Sequence, residues 1–262
     1  MKHFIFRVVL VTLILSACTG TGSNSEPQTL TVYAAASLTD AFTEMGKDFE
    51  VSHPGVIVTF NFGGSQNLRT QIEQGAPVDV FASANGKEME ALVGQNMIQA
   101  GATKVFLTNQ LVVILPKENP ANVVSLEDLG TPGLKLVLAA EDVPAGRYAR
   151  EILKKLSAMF GAQYMDRVLA NVVSNEDNIR QAVTKVELGE ADASIVYVSD
   201  AVAVPDLQKI EIPPEMNVVA EYPIARLADA ANPELADDFI EYVLSVDGQA
   251  TLKTWGFTPV VP

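Results

Sequence analysis

Apolar runs and helical repeats alternate along most of the chain. The first apolar run, residues 30–35, is rich in β-branched and small side chains and predicts a buried strand. Apolar residues then recur at the spacing of one helical face: Leu38, Phe42, Met45 and Phe49. We expect Ser37 to cap this helix, which should end before the turn His53-Pro54-Gly55.

The same alternation continues to the C-terminus. Further strands are predicted at 56–60, 79–82, 110–116, 134–139, 193–198 and 218–227. Further helices are predicted at 65–75, 87–93, 147–160, 175–188 and 235–244. Strands that alternate with helices imply an α/β architecture, with mainly parallel sheets that carry helices on both faces.

The N-terminus has the layout of a secretory signal peptide. Lys2 and Arg7 precede or interrupt a short apolar run that is followed by Ser16-Ala17-Cys18. This run is short for a membrane span. We therefore expect residues 1–17 to be a signal peptide and residues 18–29, rich in Ser, Thr, Gly and Asn, to be a flexible tether. The structured part then begins near Leu30, with enough length for one large domain or two lobes.

Cys18 is the only cysteine of the chain. The segment 15–18 (LSAC) resembles the bacterial lipobox, and this resemblance implies cleavage before Cys18 and attachment of lipid to it. The alternative is an ordinary signal peptide with a chance cysteine. A single cysteine excludes an intramolecular disulfide and a zinc site with a pair of sulfur ligands.

The charge of the chain is strongly acidic. Its 18 Lys and Arg residues face 32 Asp and Glu residues, a net charge of −14. Nucleic acid and anionic lipid surfaces are poor partners for such a chain. If the ligand is an anion, directed hydrogen bonds and helix dipoles must hold it against the global field.

Predicted helix starts supply groups of that kind. Ser37, Ser65, Ala145 and Ile179 lie at or near the first turns of four helices, where backbone N–H groups lack helical partners. In open α/β sheets such ends cluster at the carboxyl edge of the strands. A site made of donors alone favours a fully ionised anion over a protonated phosphate. Each feature alone also fits an ordinary N-cap or turn.

Five segments, in order along the chain, resemble the periplasmic molybdate-binding protein family. They are 34–40 (AAASLTD), 71–81 (QIEQGAPVDVF), 143–146 (VPAG), 195–201 (IVYVSDA) and 255–257 (WGF). The resemblance implies a two-lobed, hinged fold of the type II periplasmic-binding-protein class. Each lobe would be a mainly parallel sheet flanked by helices, with the ligand in the cleft. We expect residues 30–108 and 225–262 to form lobe I and residues 109–224 to form lobe II.

The same resemblance implies the ligand-binding residues. Ser37 and Ser65 would give hydroxyls, Ala145 and Ile179 their backbone N–H groups, and Tyr197 its phenol. Gly64 stands where members of the family often carry another serine, which would remove one hydroxyl. Two alternatives remain: Tyr197 is a core aromatic residue, or the nearby acids Glu141 and Asp142, otherwise solvent-facing, add carboxylates to the coordination.

The implied function is capture of molybdate, and of tungstate, for an ABC importer. The partners would be a permease with its ATPase, and the membrane through a lipid on Cys18. The protein would be a monomer outside the cytoplasmic membrane, on the outer face of the cell membrane or in the periplasm. It would be no enzyme, with no cofactor and no bound metal cation, since the metal arrives as its oxyanion.

Three other functions compete with this one. A secreted hydrolase or metalloenzyme is disfavoured because His53 is the only histidine after the signal peptide, and it lies in a turn. A binding protein for sulfate, an organic acid or an amino acid has the same fold, although no arginine clamp for a carboxylate stands out. A lipid-anchored sensor or adhesin would use the same pocket.

Overall fold

The computed structural model describes residues 27–260. The predicted signal peptide, the lipidation site Cys18 and all but the end of the predicted tether lie outside these residues. Within them, no helix is both long enough and apolar enough to span a bilayer.

Eleven strands and nine α-helices alternate through the described residues. The strands are β1 (Gln28–Ala35), β2 (Val56–Gly63), β3 (Val80–Ala82), β4 (Lys104–Asn109), β5 (Leu111–Leu115), β6 (Leu136–Ala139), β7 (Val172–Glu176), β8 (Ala193–Tyr197), β9 (Gln208–Glu211), β10 (Ala220–Arg226) and β11 (Thr258–Pro259). The helices are α1 (Thr39–Ser52), α2 (Ser65–Glu73), α3 (Gly86–Gly94), α4 (Pro144–Phe160), α5 (Tyr164–Ala170), α6 (Ile179–Glu187), α7 (Val198–Ala203), α8 (Pro233–Leu244) and α9 (Val246–Thr254).

Two sheets divide the strands between them. The first sheet has the order β11-β4-β10-β3-β1-β2, and the second has the order β7-β6-β8-β5-β9. In the first, β1 runs parallel to β2 and β3. In the second, β6 runs parallel to β7 and β8. The central strand of each parallel trio is therefore followed by a helix that returns over the sheet, as parallel pairing requires.

Both sheets are mixed, which corrects the expectation of mainly parallel sheets. Strand β10 is antiparallel to β3 and β4, and β5 is antiparallel to β8 and β9. These strands adjoin the two places where the chain passes between the sheets. Among the described residues, no helix lies between β4 and β5 or between β9 and β10, so the chain passes directly from one sheet to the other at these places.

The two crossings between the sheets lie at Gln110 and at residues 212–219. The expected lobe limit between residues 224 and 225 falls inside β10. All residues of β10 belong to the first sheet, where Ala220 pairs with Asn109. By sheet membership, the return crossing is therefore complete before Ala220.

The helical repeat after the first strand is confirmed, and so is its buried face. Phe42, Met45 and Phe49 of α1 are fully buried. Phe42 and Phe49 each meet the ring of Phe239 from α8 edge to face, with centroids 5.9 and 5.3 Å apart. Such aromatic pairs fix how α1 and α8 cover the first sheet.

The predicted helix at 175–188 is wrong at its N-terminus. Residues up to Glu176 belong to β7, and the helix begins only at Ile179. The reason is local chemistry: the Asn178 side chain accepts a hydrogen bond of 3.2 Å from the Gln181 N–H, and an asparagine in that role starts a helix.

Candidate functional site

A small cavity lies where the carboxyl ends of the two parallel trios face each other. Its walls are the segments that follow β1, β2 and β3 on one side and β6, β7 and β8 on the other. The space between these walls is about 210 Å³, part of it open to solvent. Five of the residues around it are those expected from the sequence: Ser37, Ser65, Ala145, Ile179 and Tyr197.

Ser37 lies in a short 3-10 turn, Ala36–Leu38, between β1 and α1. The expectation that it caps the helix is wrong, because neither the turn nor α1 has a side-chain cap. Its Oγ instead lies 2.9 Å from the phenol oxygen of Tyr222, and both residues are buried. The Ser37 hydroxyl therefore does not cap the helix but contacts Tyr222 of β10.

Ser65 is the first residue of α2 and follows the cap residue Gly64. Its Oγ accepts a hydrogen bond of 3.0 Å from the Ala84 N–H, so its own proton remains available for donation. The first intrahelical acceptor, the Gly64 carbonyl, is taken by Asn67 and Leu68. The N–H groups of Ser65 and Gln66 therefore precede the helical ladder, at the positive end of the dipole.

The first turn of α4 supplies backbone donors from the second sheet. Pro144 occupies its first position and has no N–H, and the first ladder bond runs from the Arg147 N–H to the Val143 carbonyl. The Ala145 N–H lies before that bond and at the cavity. Gly146 is needed here, because a β-carbon on it would lie 2.0 Å from the Ala140 carbonyl oxygen.

The start of α6 has the same design. The Asn178 side chain satisfies the Gln181 N–H, which leaves the N–H groups of Ile179 and Arg180 ahead of the ladder. Ile179 is buried against the cavity. Since the donor is the backbone N–H, the isoleucine side chain gives no indication of it in the sequence.

Tyr197 ends β8 and is fully buried. Within residues 27–260 its phenol oxygen makes no hydrogen bond of normal geometry, and the ring of Tyr222 packs edge to face against its ring, with centroids 5.7 Å apart. Burial raises the pKa of this phenol well above its usual value, so the hydroxyl keeps its proton and remains a donor. A buried hydroxyl without a partner costs about 1–3 kcal/mol, which a ligand at the cavity would recover.

Next to the cavity residue Ile179, one arginine is shared by two carboxylates of other helices. Arg180 forms ion pairs with Asp40 on α1 and with the fully buried Asp200 on α7. Burial raises the pKa of Asp200 from 3.8 to about 6, against the opposing effect of Arg180. No Lys, Arg, Asp or Glu is among the described residues that line the cavity, and Glu141 and Asp142 are exposed outside it.

The chemistry of the arrangement is hydrogen-bond donation to a small acceptor-rich ligand. Neither serine hydroxyl bonds to a histidine or a carboxylate, as a nucleophile with its base would. Over residues 27–260, no cluster of three His, Cys, Asp or Glu side chains is placed to hold a metal ion. The sequence did not reveal Tyr222 behind Ser37, because a lone tyrosine in an apolar strand has no distinguishing signal.

Comparisons with known proteins agree with this geometry. Residues 30–258 match the family described as bacterial extracellular solute-binding protein. The chain is 36% identical over 237 residues to the molybdate-binding protein ModA of Mycobacterium tuberculosis, covering 90% of this chain and 87% of that protein. It is 34% identical over 236 residues to the molybdate-binding protein ModA of Escherichia coli, covering 87% and 88%.

The fold is similar to that of the periplasmic molybdate-binding protein of Azotobacter vinelandii. The TM-score is 0.76 at 20% sequence identity, covering 89% of this chain and 99% of that one. The two-lobed type II fold expected from the sequence motifs is confirmed by this similarity together with the two sheets.

Proposed function

The chain belongs to the family of bacterial extracellular solute-binding proteins, and from that premise we propose that it captures molybdate for an ABC importer. One observation carries the proposal: the buried phenol of Tyr197 has no hydrogen-bond partner among residues 27–260, and it lies beside a cavity walled by the first turns of helices. The names of the relatives from Mycobacterium tuberculosis and Escherichia coli favour molybdate as the anion.

The donors around the cavity are adequate for tight binding of a dianion. Ser37, Ser65 and Tyr197 would donate hydroxyl protons, and Ala145 and Ile179 would donate backbone N–H groups. A submicromolar Kd corresponds to more than about 8 kcal/mol. Hydrogen bonds to charged groups contribute about 1.5–3 kcal/mol each, so five donors reach this range.

Capture would proceed by closure of two lobes rather than by chemistry. We assign the lobes to the two sheets, with hinge segments at Gln110 and residues 212–219. An oxyanion held by one lobe would draw the other over it, and exclusion of water would strengthen each N–H···O contact. A permease with its ATPase would then recognise the closed form. Neither a cofactor nor a catalytic step is part of this function.

The location of the protein follows from the same proposal. Capture for an importer takes place outside the cytoplasmic membrane, and a lipid on Cys18 would keep the protein at that surface. Replacement of Cys18 by Ser should move the protein from the membrane fraction to the soluble extracytoplasmic fraction. A protein that stays with the membrane after this change would contradict the anchor.

The direct test is calorimetry of the purified protein after removal of bound anions. We expect one-to-one, submicromolar binding of molybdate and of tungstate, and weak or no binding of sulfate and phosphate. Tight sulfate binding without molybdate binding would assign the protein to another oxyanion. Binding of none of the four anions by a folded protein would reject the proposal.

A further inference from the structure

The two lobes touch beside the cavity, at the start of α2. The contact is made by the backbone carbonyl of Asp177, in the segment between β7 and α6. The Gln66 Nε2 of α2 donates to this carbonyl at 3.2 Å. The Gln66 Oε1 is buried and has no partner among residues 27–260, so the Asp177 carbonyl is the one described partner of this amide.

The same carbonyl lies directly over Gly64. A β-carbon on Gly64 would be 2.4 Å from the Asp177 carbonyl oxygen and 2.7 Å from the Gln66 side-chain amide. Non-bonded contacts of β-carbons are essentially never this short. The backbone of Gly64, at φ −62° and ψ 131°, is one that any residue adopts. Glycine is therefore required by the facing lobe and not by the local backbone.

This contact adjoins the proposed ligand groups on both lobes. Gly64 directly precedes Ser65, and Asp177 lies two residues before Ile179. Asp177 and Ile179 lie in one short segment at the capped start of α6. The position of the Asp177 carbonyl against Gly64 and Gln66 therefore determines the distance between the Ile179 N–H and the Ser65 hydroxyl. A displacement of about 1 Å here would carry the donors of one lobe out of hydrogen-bond range of an anion held by the other.

We propose that Gly64 and Gln66 form the seat on which the Asp177 carbonyl docks when the cleft closes, and that the missing side chain at Gly64 sets how far the lobes close. The inference rests on the proposed function for its ligand. It makes both residues positioning residues, which act on the bound anion through the distance between the two lobes.

The test compares Gly64→Ala with wild type by stopped-flow dissociation and calorimetry of molybdate. We expect the Kd to rise at least thirtyfold, mainly through a faster dissociation rate, because the open form still admits the anion. The melting temperature without ligand should match that of Gly94→Ala, a control glycine with no atom within 4 Å of its β-carbon position. A Gly64→Ala protein that binds within twofold of wild type would overturn the proposal.

A second variant guards against a failure of Gly64→Ala to fold. Gln66→Glu keeps the side-chain size but places a carboxylate against the Asp177 carbonyl, and we expect a Kd about tenfold higher, with wild-type affinity as the contradicting result. If wild type binds sulfate instead of molybdate, the same variants are titrated with sulfate. The wild-type titration thus tests the ligand, and the ratio of variant to wild type tests the seat.

Discussion

The two sides of the cleft share one architecture but offer different groups to a ligand. On each side, three parallel strands end at the cavity and are followed by helical turns. The first lobe presents the side-chain hydroxyls of Ser37 and Ser65, each already bonded from behind. The second lobe presents backbone N–H groups at Ala145 and Ile179, and the phenol of Tyr197, which has no hydrogen-bond partner in the described part of the chain.

This difference determines what each lobe demands of its sequence. A hydroxyl disappears when its residue is replaced, whereas a backbone N–H survives any replacement that keeps the helix start. The first lobe should therefore be sensitive to residue identity. The second should be sensitive to groups that place its helices, such as Gly146, the Asn178 cap and the pairing of Arg180 with the buried Asp200.

The largest effect is expected for the buried carboxylate of the second lobe. Burial raises the pKa of Asp200 from 3.8 to about 6, while Arg180 opposes this and Asp40 adds to it. The folded state therefore holds this proton more tightly than the unfolded state. Its contribution to stability is complete below pH 3.8 and is lost as the pH rises through about 6.

Asp200→Asn should remove this pH dependence. Each unit of difference in pKa corresponds to about 1.4 kcal/mol. The free energy of unfolding of the wild type should therefore fall by about 2–3 kcal/mol more than that of the variant as the pH rises through this range. Chemical denaturation between pH 4 and 7 measures it. Asp206→Asn, at an exposed side chain, is the control. Parallel pH profiles for wild type and Asp200→Asn would refute the assignment.

The next largest effect should distinguish the side-chain hydroxyls of the first lobe from the backbone N–H groups of the second. Ser65→Ala removes a donor to a charged ligand and should weaken molybdate binding about tenfold to a hundredfold. Ile179→Ala keeps the backbone N–H and should change the Kd by less than about threefold. Calorimetry of both variants checks the pair. Equal losses would show that the two lobes do not differ as proposed.

A smaller effect is expected behind the first lobe. The Tyr222 phenol and the Ser37 hydroxyl lie 2.9 Å apart, and a bound oxyanion would claim the Ser37 proton, so Tyr222 should donate to Ser37. Tyr222→Phe keeps the ring and should raise the molybdate Kd about threefold to tenfold. Tyr242→Phe, whose hydroxyl faces Asp48 away from the cavity, should bind as wild type. An unchanged Kd for Tyr222→Phe would show that the Tyr222 phenol does not assist ligand binding by Ser37.

The smallest effect concerns the ion pair that joins the lobes. Arg180 of α6 pairs with Asp40 of α1, and both side chains are partly exposed. Asp40→Asn should raise the molybdate Kd about threefold or less, and the difference from wild type should shrink in high salt. Lys117→Ala, in an exposed pair remote from the cavity, is the control. A difference that persists in high salt would indicate a structural role for Asp40.

Secondary structure was predictable where one element has one exposed and one buried face, or is buried throughout. The helical repeat of Phe42, Met45 and Phe49 predicts α1, and the continuous apolar run 193–197 predicts the buried strand β8. Strands β4, β7, β9 and β11 were missed; β7 and β9 are the edge strands of the second sheet, and their exposed polar residues are typical of loops. Helices α5, α7 and α9 were also missed, because α5 and α7 have only seven and six residues and α9 has few apolar residues to form a repeat.

The sequence by itself determined the α/β alternation, the longer helices and, through its motifs, the five residues expected at the ligand. These features depend on neighbours within a few positions. Only the tertiary structure decided which groups support them: Tyr222 lies 185 positions from Ser37, Arg180 lies 140 from Asp40, and Asp177 lies 111 from Gln66. The first of these contacts forms within one lobe and the other two form when the two sheets are brought together, and no local pattern in the chain records such distant partners.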